Sequence, residues 1–257
     1  MPTPTSLYDQ RSDPLTIPTA PLDLPAAIQA LAVRETLGPA QSVWVNELGG
    51  ITFAFAAAGQ FVKWAPHHPE LDLAGEAERM RWAGRFIAVP EVLEVGADAA
   101  GQWLRTVALP GRSAVDPHWE VRPRLAARAI GSGLRQLHNR LPVAGCPYAW
   151  TVEARVSGLA NADARWFLDH APAHDRLVVA HGDACAPNTL LDEHGQPVGH
   201  VDLGRLGLAD RWADLAIATY SLAWNYHGDW EDELLDAYGI ARDEPRIAFY
   251  RRLWDAT

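Results

Sequence analysis

HGDACAPNTLLDEHGQPVGHVDLGRLGLADRWAD, residues 181–214, is the stretch on which the reading of this chain turns. It follows RLVVA (176–180), a short apolar run bounded by polar residues, which predicts a buried strand. Side chains that leave such a strand into a loop are exposed yet held by the scaffold behind them. Leu190-Leu191, a turn at His194-Gly195, and Val198 to Val201 predict a hairpin. A hairpin returns its ends to one place, so Asp202 is expected close to Asn188, with Asp183 on the same loop as Asn188. A carboxylate, an amide oxygen and a second carboxylate around one point are hard ligands. They suit Mg²⁺, which takes one or two protein carboxylates beside waters and substrate phosphates. Asp183 is then free to accept a proton from a hydroxyl nucleophile. Taken singly, such residues are ordinary turn formers and caps; it is their joint arrangement that argues for chemistry.

Downstream, helices are predicted near 211–226, 229–238 (closed by Gly239) and 244–254. Upstream, Leu125, Ala129, Ile130, Gly133, Leu134, Leu137 and His138 recur at helical spacing, so everything beyond Pro110-Gly111 is mainly helical. Residues 23–109 have a different texture. Antiparallel strands are expected between Ser42 and Trp64, broken at Gly49-Gly50 and Gly59-Gln60, with Lys63 ending the last. A helix over Gly75–Phe86 and strands over Pro90–Val95 and Gln102–Leu109 complete a small α+β lobe. Ahead of them, Asp23 reads as the N-cap of a helix with Pro25 in its first turn and Gly38 at its end. Residues 1–22, with five prolines, read as an extended or mobile arm.

Length and composition fit one large domain or two modest ones: 257 residues, 48% hydrophobic and 21% charged, a globular balance. A net charge of −10 disfavours a nucleic-acid backbone and suits a cationic small-molecule partner. Cys146 and Cys185 form no disulfide framework, which points to a reducing, cytoplasmic setting. No apolar run approaches the roughly 20 residues that span a bilayer, and no signal-peptide pattern opens the chain, so no membrane association is expected. Lys63 is the only lysine beside 21 arginines, so a compact ammonium is kept where a planar guanidinium does not substitute.

The run H-G-D-x-x-x-x-N, then D-x-G-R-x-G-x-A-D-R-x-x-D, resembles the aminoglycoside 3′-phosphotransferase family, a branch of the protein-kinase-like fold. The similarity is close over 178–220 and looser from about residue 42 to RIAFYRRLW (246–254). The resemblance implies a bilobal α+β fold. A nucleotide-binding lobe over 23–109 would end in a hinge at Val107–Leu109 that offers backbone groups to adenine, and a catalytic and acceptor-binding lobe would span 110–257. It implies transfer of the γ-phosphate of ATP (or GTP), with Mg²⁺, to a hydroxyl of an aminoglycoside, conferring resistance. By position, Asp183 matches the catalytic aspartate, Asn188 and Asp202 the magnesium ligands, and Lys63 the lysine on the α- and β-phosphates. Glu76 would be that lysine's partner, with Glu78 the register-shifted alternative. Gly49-Gly50 falls in the turn that covers the phosphates, and Arg205 matches an arginine near the acceptor.

The acceptor side departs from the family. Between Pro147 and Leu177 the available acids are Asp163, Asp169 and Asp175; Trp224 and Asn225 stand where an acidic pair is expected; and the ending offers Asp255 and a Thr257 carboxylate. Trp224 and Trp230 are candidates for lining a pocket. His181 is expected to brace the loop and Cys185 to be structural. A kinase for another hydroxyl compound (macrolide, sugar or hydroxylated amine), a nucleotide-binding pseudokinase, and a metal hydrolase built on His181 and Asp183 are the alternatives.

Overall fold

The computed structural model describes residues 17, 18 and 20–257. Most of the arm expected over 1–22 therefore lies outside the described residues. The chain divides into two compact units, one within Met1–Trp82 together with Pro90–Ala108, the other Ala83–Val89 with Leu109–Thr257.

The first unit is an antiparallel sheet of β1 (Gln41–Val45), β2 (Ile51–Phe55), β3 (Gln60–Pro66), β4 (Val92–Ala97) and β5 (Gly101–Val107), in the order β1-β2-β3-β5-β4. Helix α1 (Ala26–Arg34) buries Ile28 and Leu31 in one cluster with Phe53, Phe55 and Val62. Neighbouring residues of a strand point to opposite faces, so Lys63, next to Val62, is turned away from this cluster. Helix α2 (Leu73–Ala83) follows β3. The ends of α1 differ from expectation. Asp23 does not cap it, because the helix starts after Pro25 with no side-chain cap. Gly38 comes too late to close it. Thr36 takes the left-handed conformation (φ 54°), its N–H reaching Val33 O and that of Leu37 reaching Ala32 O, a Schellman end sealed by buried Leu37.

The second unit is built around α4 (Pro123–Arg140), α7 (Trp212–Asn225), α8 (Glu231–Tyr238) and α9 (Glu244–Ala256). Helices α4 and α8 approach so closely that a Cβ at Gly131 would meet Leu234 O at 2.2 Å. The apolar sequence of α7 is buried over nearly its whole length. Two small sheets support the 181–214 stretch. β7 (Leu177–Ala180) pairs with β10 (Gly207–Asp210), and β8 (Thr189–Leu191) lies between β6 (Arg112–Ser113) and β9 (Pro197–His200). Short helices α3 (Pro117–Glu120), α5 (Val152–Val156) and α6 (Asn161–His170) fill segments that carried no clear periodicity. Among the described residues no helix is long and apolar enough to cross a membrane.

Candidate active site

In the first unit, Lys63 Nζ donates to Glu76 Oε1 at 2.6 Å. The lysine lies on β3, opposite Thr52 on β2 and Leu104 on β5, while Glu76 stands in the first turn of α2. The carboxylate is almost wholly buried (5% exposed) and the ammonium one quarter exposed. A flexible four-carbon stem is thereby held in one direction. Glu76, rather than Glu78, is the partner.

The turn at Gly49-Gly50 is closed by its own asparagine. The N–H groups of Leu48 and Gly50 donate to Asn46 Oδ1 (3.0 and 2.7 Å), and that of Gly49 donates to Asn46 O (3.1 Å). At the other end of the sheet, Val107 N–H donates to Glu91 O and Ala108 N–H to Gly59 O. Leu109 N–H has no hydrogen bond among the described residues.

In the second unit, β7 delivers His181-Gly182-Asp183 into a loop fastened from several sides. His181, fully buried, places Nε2 3.0 Å from Val201 O, and its Nδ1 faces the N–H of Asp183 at 3.3 Å. A carbonyl only accepts, so Nε2 carries the proton and Nδ1 accepts. Both ring nitrogens are spent, which leaves none for a metal. Among the described residues no three His, Cys, Asp or Glu side chains are grouped to hold one either. Gly182 has φ 82°, and a Cβ there would meet Arg205 O at 2.0 Å. We expect Gly182→Ala to lower stability by about 2–3 kcal/mol in urea unfolding, because backbone blocks the new methyl and no rotamer relieves it.

Asn188 Nδ2 donates to Asp183 O (2.9 Å) and, more weakly, to its Oδ2 (3.4 Å), which leaves Oδ1 as the acceptor of that amide. Asp183 Oδ1 is buried without a hydrogen-bond partner. The hairpin closes with Thr189 opposite His200, and Val201 N–H donates to Asn188 O at 3.0 Å. Asn188 and Asp202 therefore flank the same end of it. Asp202 holds φ 62°, a left-handed conformation that Asp tolerates better than most side chains. Burial first, then the charge of Asp183, holds the Cys185 thiol well above its usual pKa, so it stays un-ionised and is no nucleophile.

Sequence reasoning assigned no role to Asp214. It is fully buried in the first turn of α7, where Oδ2 accepts from His181 N–H (2.6 Å) and Oδ1 from Gly182 N–H (2.9 Å). An ionised carboxylate only accepts, so His138 Nε2 donates to Oδ2 at 2.9 Å, and in the neutral ring Nδ1 accepts from the Tyr238 hydroxyl at 2.9 Å. Burial alone would push the Asp214 carboxyl up. His138 and the backbone donors more than offset it, and its pKa lies below the ordinary value. The signal was legible: one carboxylate inside WADLAIATYSLAW, an otherwise apolar helix. Asp210 and Arg211 of the same motif brace the neighbouring chain. Asp210 accepts from the N–H groups of Trp212 and Asp175, and Arg211 Nε donates to Asp175 Oδ2 at 2.6 Å.

The acceptor candidates are more scattered. The Arg205 guanidinium makes no hydrogen bond or ion pair among the described residues. Asp163 and Asp169 are exposed on α6, whereas Asp175 is committed to Arg211 and Trp212. Asp255 is exposed near the end of α9. Thr257 accepts from Arg155 at both its hydroxyl and its carbonyl, each at 2.7 Å.

Phosphoryl transfer asks a protein to hold phosphate charge and orient a hydroxyl rather than to form covalent bonds of its own. The α+β architecture is that of the protein-kinase-like phosphotransferases. Residues 57–250 match the phosphotransferase enzyme family APH, and the chain belongs to that family. It is 37% identical over 227 residues to an aminoglycoside 3′-phosphotransferase of Streptomyces fradiae, covering 75% of this chain and 84% of that one. It is 32% identical over 250 residues to the streptomycin 3″-kinase of Streptomyces griseus, covering 82% and 90%. Among solved structures, the aminoglycoside phosphotransferase APH(3″)-Id of Streptomyces rimosus superposes with a TM-score of 0.75 at 27% identity, covering 92% of this chain and 99% of that one. That enzyme is also known in complex with ADP and streptomycin.

Proposed function

We propose that the chain transfers the γ-phosphate of ATP to the 3′-hydroxyl of an aminoglycoside antibiotic and so confers resistance. The observation that carries the reading is Asp183, whose Oδ1 is buried and unpartnered on a loop that Asp214, His181 and Asn188 hold in place. Such an oxygen is a ready acceptor for one proton. Asp183 takes the proton of the acceptor hydroxyl as that oxygen bonds to phosphorus and the bond to ADP breaks.

Asn188 Oδ1 and the Asp202 carboxylate, flanking one end of the hairpin, are hard oxygen donors that fit magnesium. Bound there, the ion would neutralise phosphate charge. Lys63, steadied by Glu76, is assigned to the α- and β-phosphates. The Gly49-Gly50 turn can offer the amides of Leu48 and Gly50 to phosphate only where Asn46 Oδ1 releases them, and that of Gly49 only where Asn46 O does. Adenine is left the backbone near Leu109, since the amides of Val107 and Ala108 are already used. Arg205, Asp163, Asp255 and Thr257 are assigned to the acceptor. A net charge of −10 and two free cysteines suit a cationic acceptor met in the cytoplasm, rather than nucleic acid or membrane.

A coupled ADP-release screen over kanamycin, streptomycin, a macrolide and simple polyols tests the reading, followed by location of the phosphate on the product. Kanamycin is expected to turn over and to carry phosphate at its 3′-hydroxyl. No release above water with the aminoglycosides, beside clear release with another alcohol, would overturn the acceptor while leaving the kinase. Lys63→Arg keeps the charge but puts a planar fork in place of a compact ammonium beside Glu76, and is expected to lower kcat/KM about 10²-fold in the same assay. Near-normal turnover would remove Lys63 from its role.

A further inference from the structure

Where α4 meets β9, the second unit holds a cavity of about 60 Å³. The segment that follows α2 closes it, and its apolar lining includes Ile87, Leu137 and Val198. Three polar side chains line it as well: His200, Gln136 and Arg140. His200 is only 4% exposed. Burial pushes its pKa well down and keeps the ring neutral, and its one N–H is given to the backbone of Gly133. Nδ1 is therefore an acceptor, and it is buried with no hydrogen-bond partner. Such an atom is costly to the fold until something donates to it. Gln136 and Arg140 are exposed and so mark the solvent side of the cavity. Neither side chain makes a hydrogen bond or ion pair among the described residues. An uncompensated guanidinium is notable in a chain of net charge −10.

We propose that this cavity is a binding site for a short aliphatic hydroxy acid. The inner polar atom only accepts, so the ligand brings a hydroxyl that donates to His200 Nδ1. The outer group is a cation, so the ligand brings an anion, and a carboxylate pairs with a guanidinium through two parallel bonds. The walls between them are apolar. The volume is well below the roughly 150 Å³ that takes benzene, so a few carbons fit and a ring does not. Asp202 follows His200 by two residues, and the His200 and His181 rings lie 5.7 Å apart at 71°. The site thus backs the catalytic loop, yet it needs neither nucleotide nor phosphate acceptor and is independent of which alcohol the chain phosphorylates.

Titration of the full chain with β-hydroxybutyrate, followed by the ring-nitrogen NMR signals of its histidines, tests the site. Butyrate, the same acid without the hydroxyl, is the control, and ionic strength is held constant. A saturable shift of the His200 Nδ1 signal is expected, with a dissociation constant of about 5 mM. Butyrate should bind about fivefold more weakly and leave that signal in place. Arg140→Met keeps the aliphatic stem and drops the charge. It should weaken β-hydroxybutyrate about fivefold at an unchanged melting temperature, because Arg140 makes no bond that the fold would lose. A His200 signal that stays put at ten times the expected constant would overturn the site, the cavity then holding water alone. Equal binding of the two acids would overturn it too. Full affinity in Arg140→Met would remove the carboxylate from its place, and with it the hydroxy-acid assignment.

Discussion

Asp183→Asn is expected to lower kcat for the phosphorylated acceptor by about 10³-fold, within the 10²–10⁴ range that general-base action supplies. The amide is nearly isosteric, and the bonds that fix the loop run mainly through backbone atoms of Asp183 and through its neighbours. Folding should therefore be spared, and the melting temperature should stay within about 2 °C of wild type, a shift of under about 1 kcal/mol. An amide oxygen is far less basic than a carboxylate, so the hydroxyl keeps its proton in the approach to phosphorus. KM for ATP is expected to change little. A variant that retained more than a tenth of wild-type kcat would show that the proton leaves by another route.

Asp214→Ala carries the largest expected loss of stability. Removing one carboxylate strips the partner from two buried N–H groups and from His138 Nε2 at once. Each buried donor left without an acceptor costs about 1–3 kcal/mol, so the three together should cost about 3 kcal/mol or more, read as a fall in the urea midpoint at an unchanged m-value. Asp214→Asn keeps one acceptor but turns a donor toward donors, and should cost about 1–3 kcal/mol. Acid gives an independent check. The folded Asp214 pKa lies below the ordinary 3.8, so between the two values the unfolded chain binds more protons than the folded one. Its stabilisation is complete above the unfolded value and is lost as pH falls through the folded one. Asp214→Asn should flatten that part of the stability–pH curve, and an unaltered acid limb would remove Asp214 from it. Activity should fall with stability, because His181 and Gly182 aim Asp183.

The catalytic loop was legible in sequence because its constraints are local. A hairpin must bring Asp202 back to Asn188. The partner of Lys63 followed from a family register, and the 2.6 Å bond from Lys63 selects Glu76 over Glu78. What escaped were features fixed by tertiary contact. GLAD (207–210) has no strand character of its own and pairs only because β7 lies beside it. Helix α1 is closed by a left-handed Thr36, a residue type that rarely takes that form, because burying Leu37 and closing two carbonyls outweigh the strain. The Gly49-Gly50 pair marks a turn, but not that Asn46, three residues earlier than Gly49, binds its amides. The role of Asp214 is likewise fixed by partners distant in sequence, the amides of His181 and Gly182 and the His138 ring.

The solitary lysine has a practical corollary. With the α-amino group set aside, an acylating reagent finds a single aliphatic amine in the whole polypeptide, and that amine is clamped to a neighbouring acid. Labelling therefore reports on one position without mutagenesis. Intact-mass footprinting with and without nucleotide then tests the assignment of Lys63 to the phosphates.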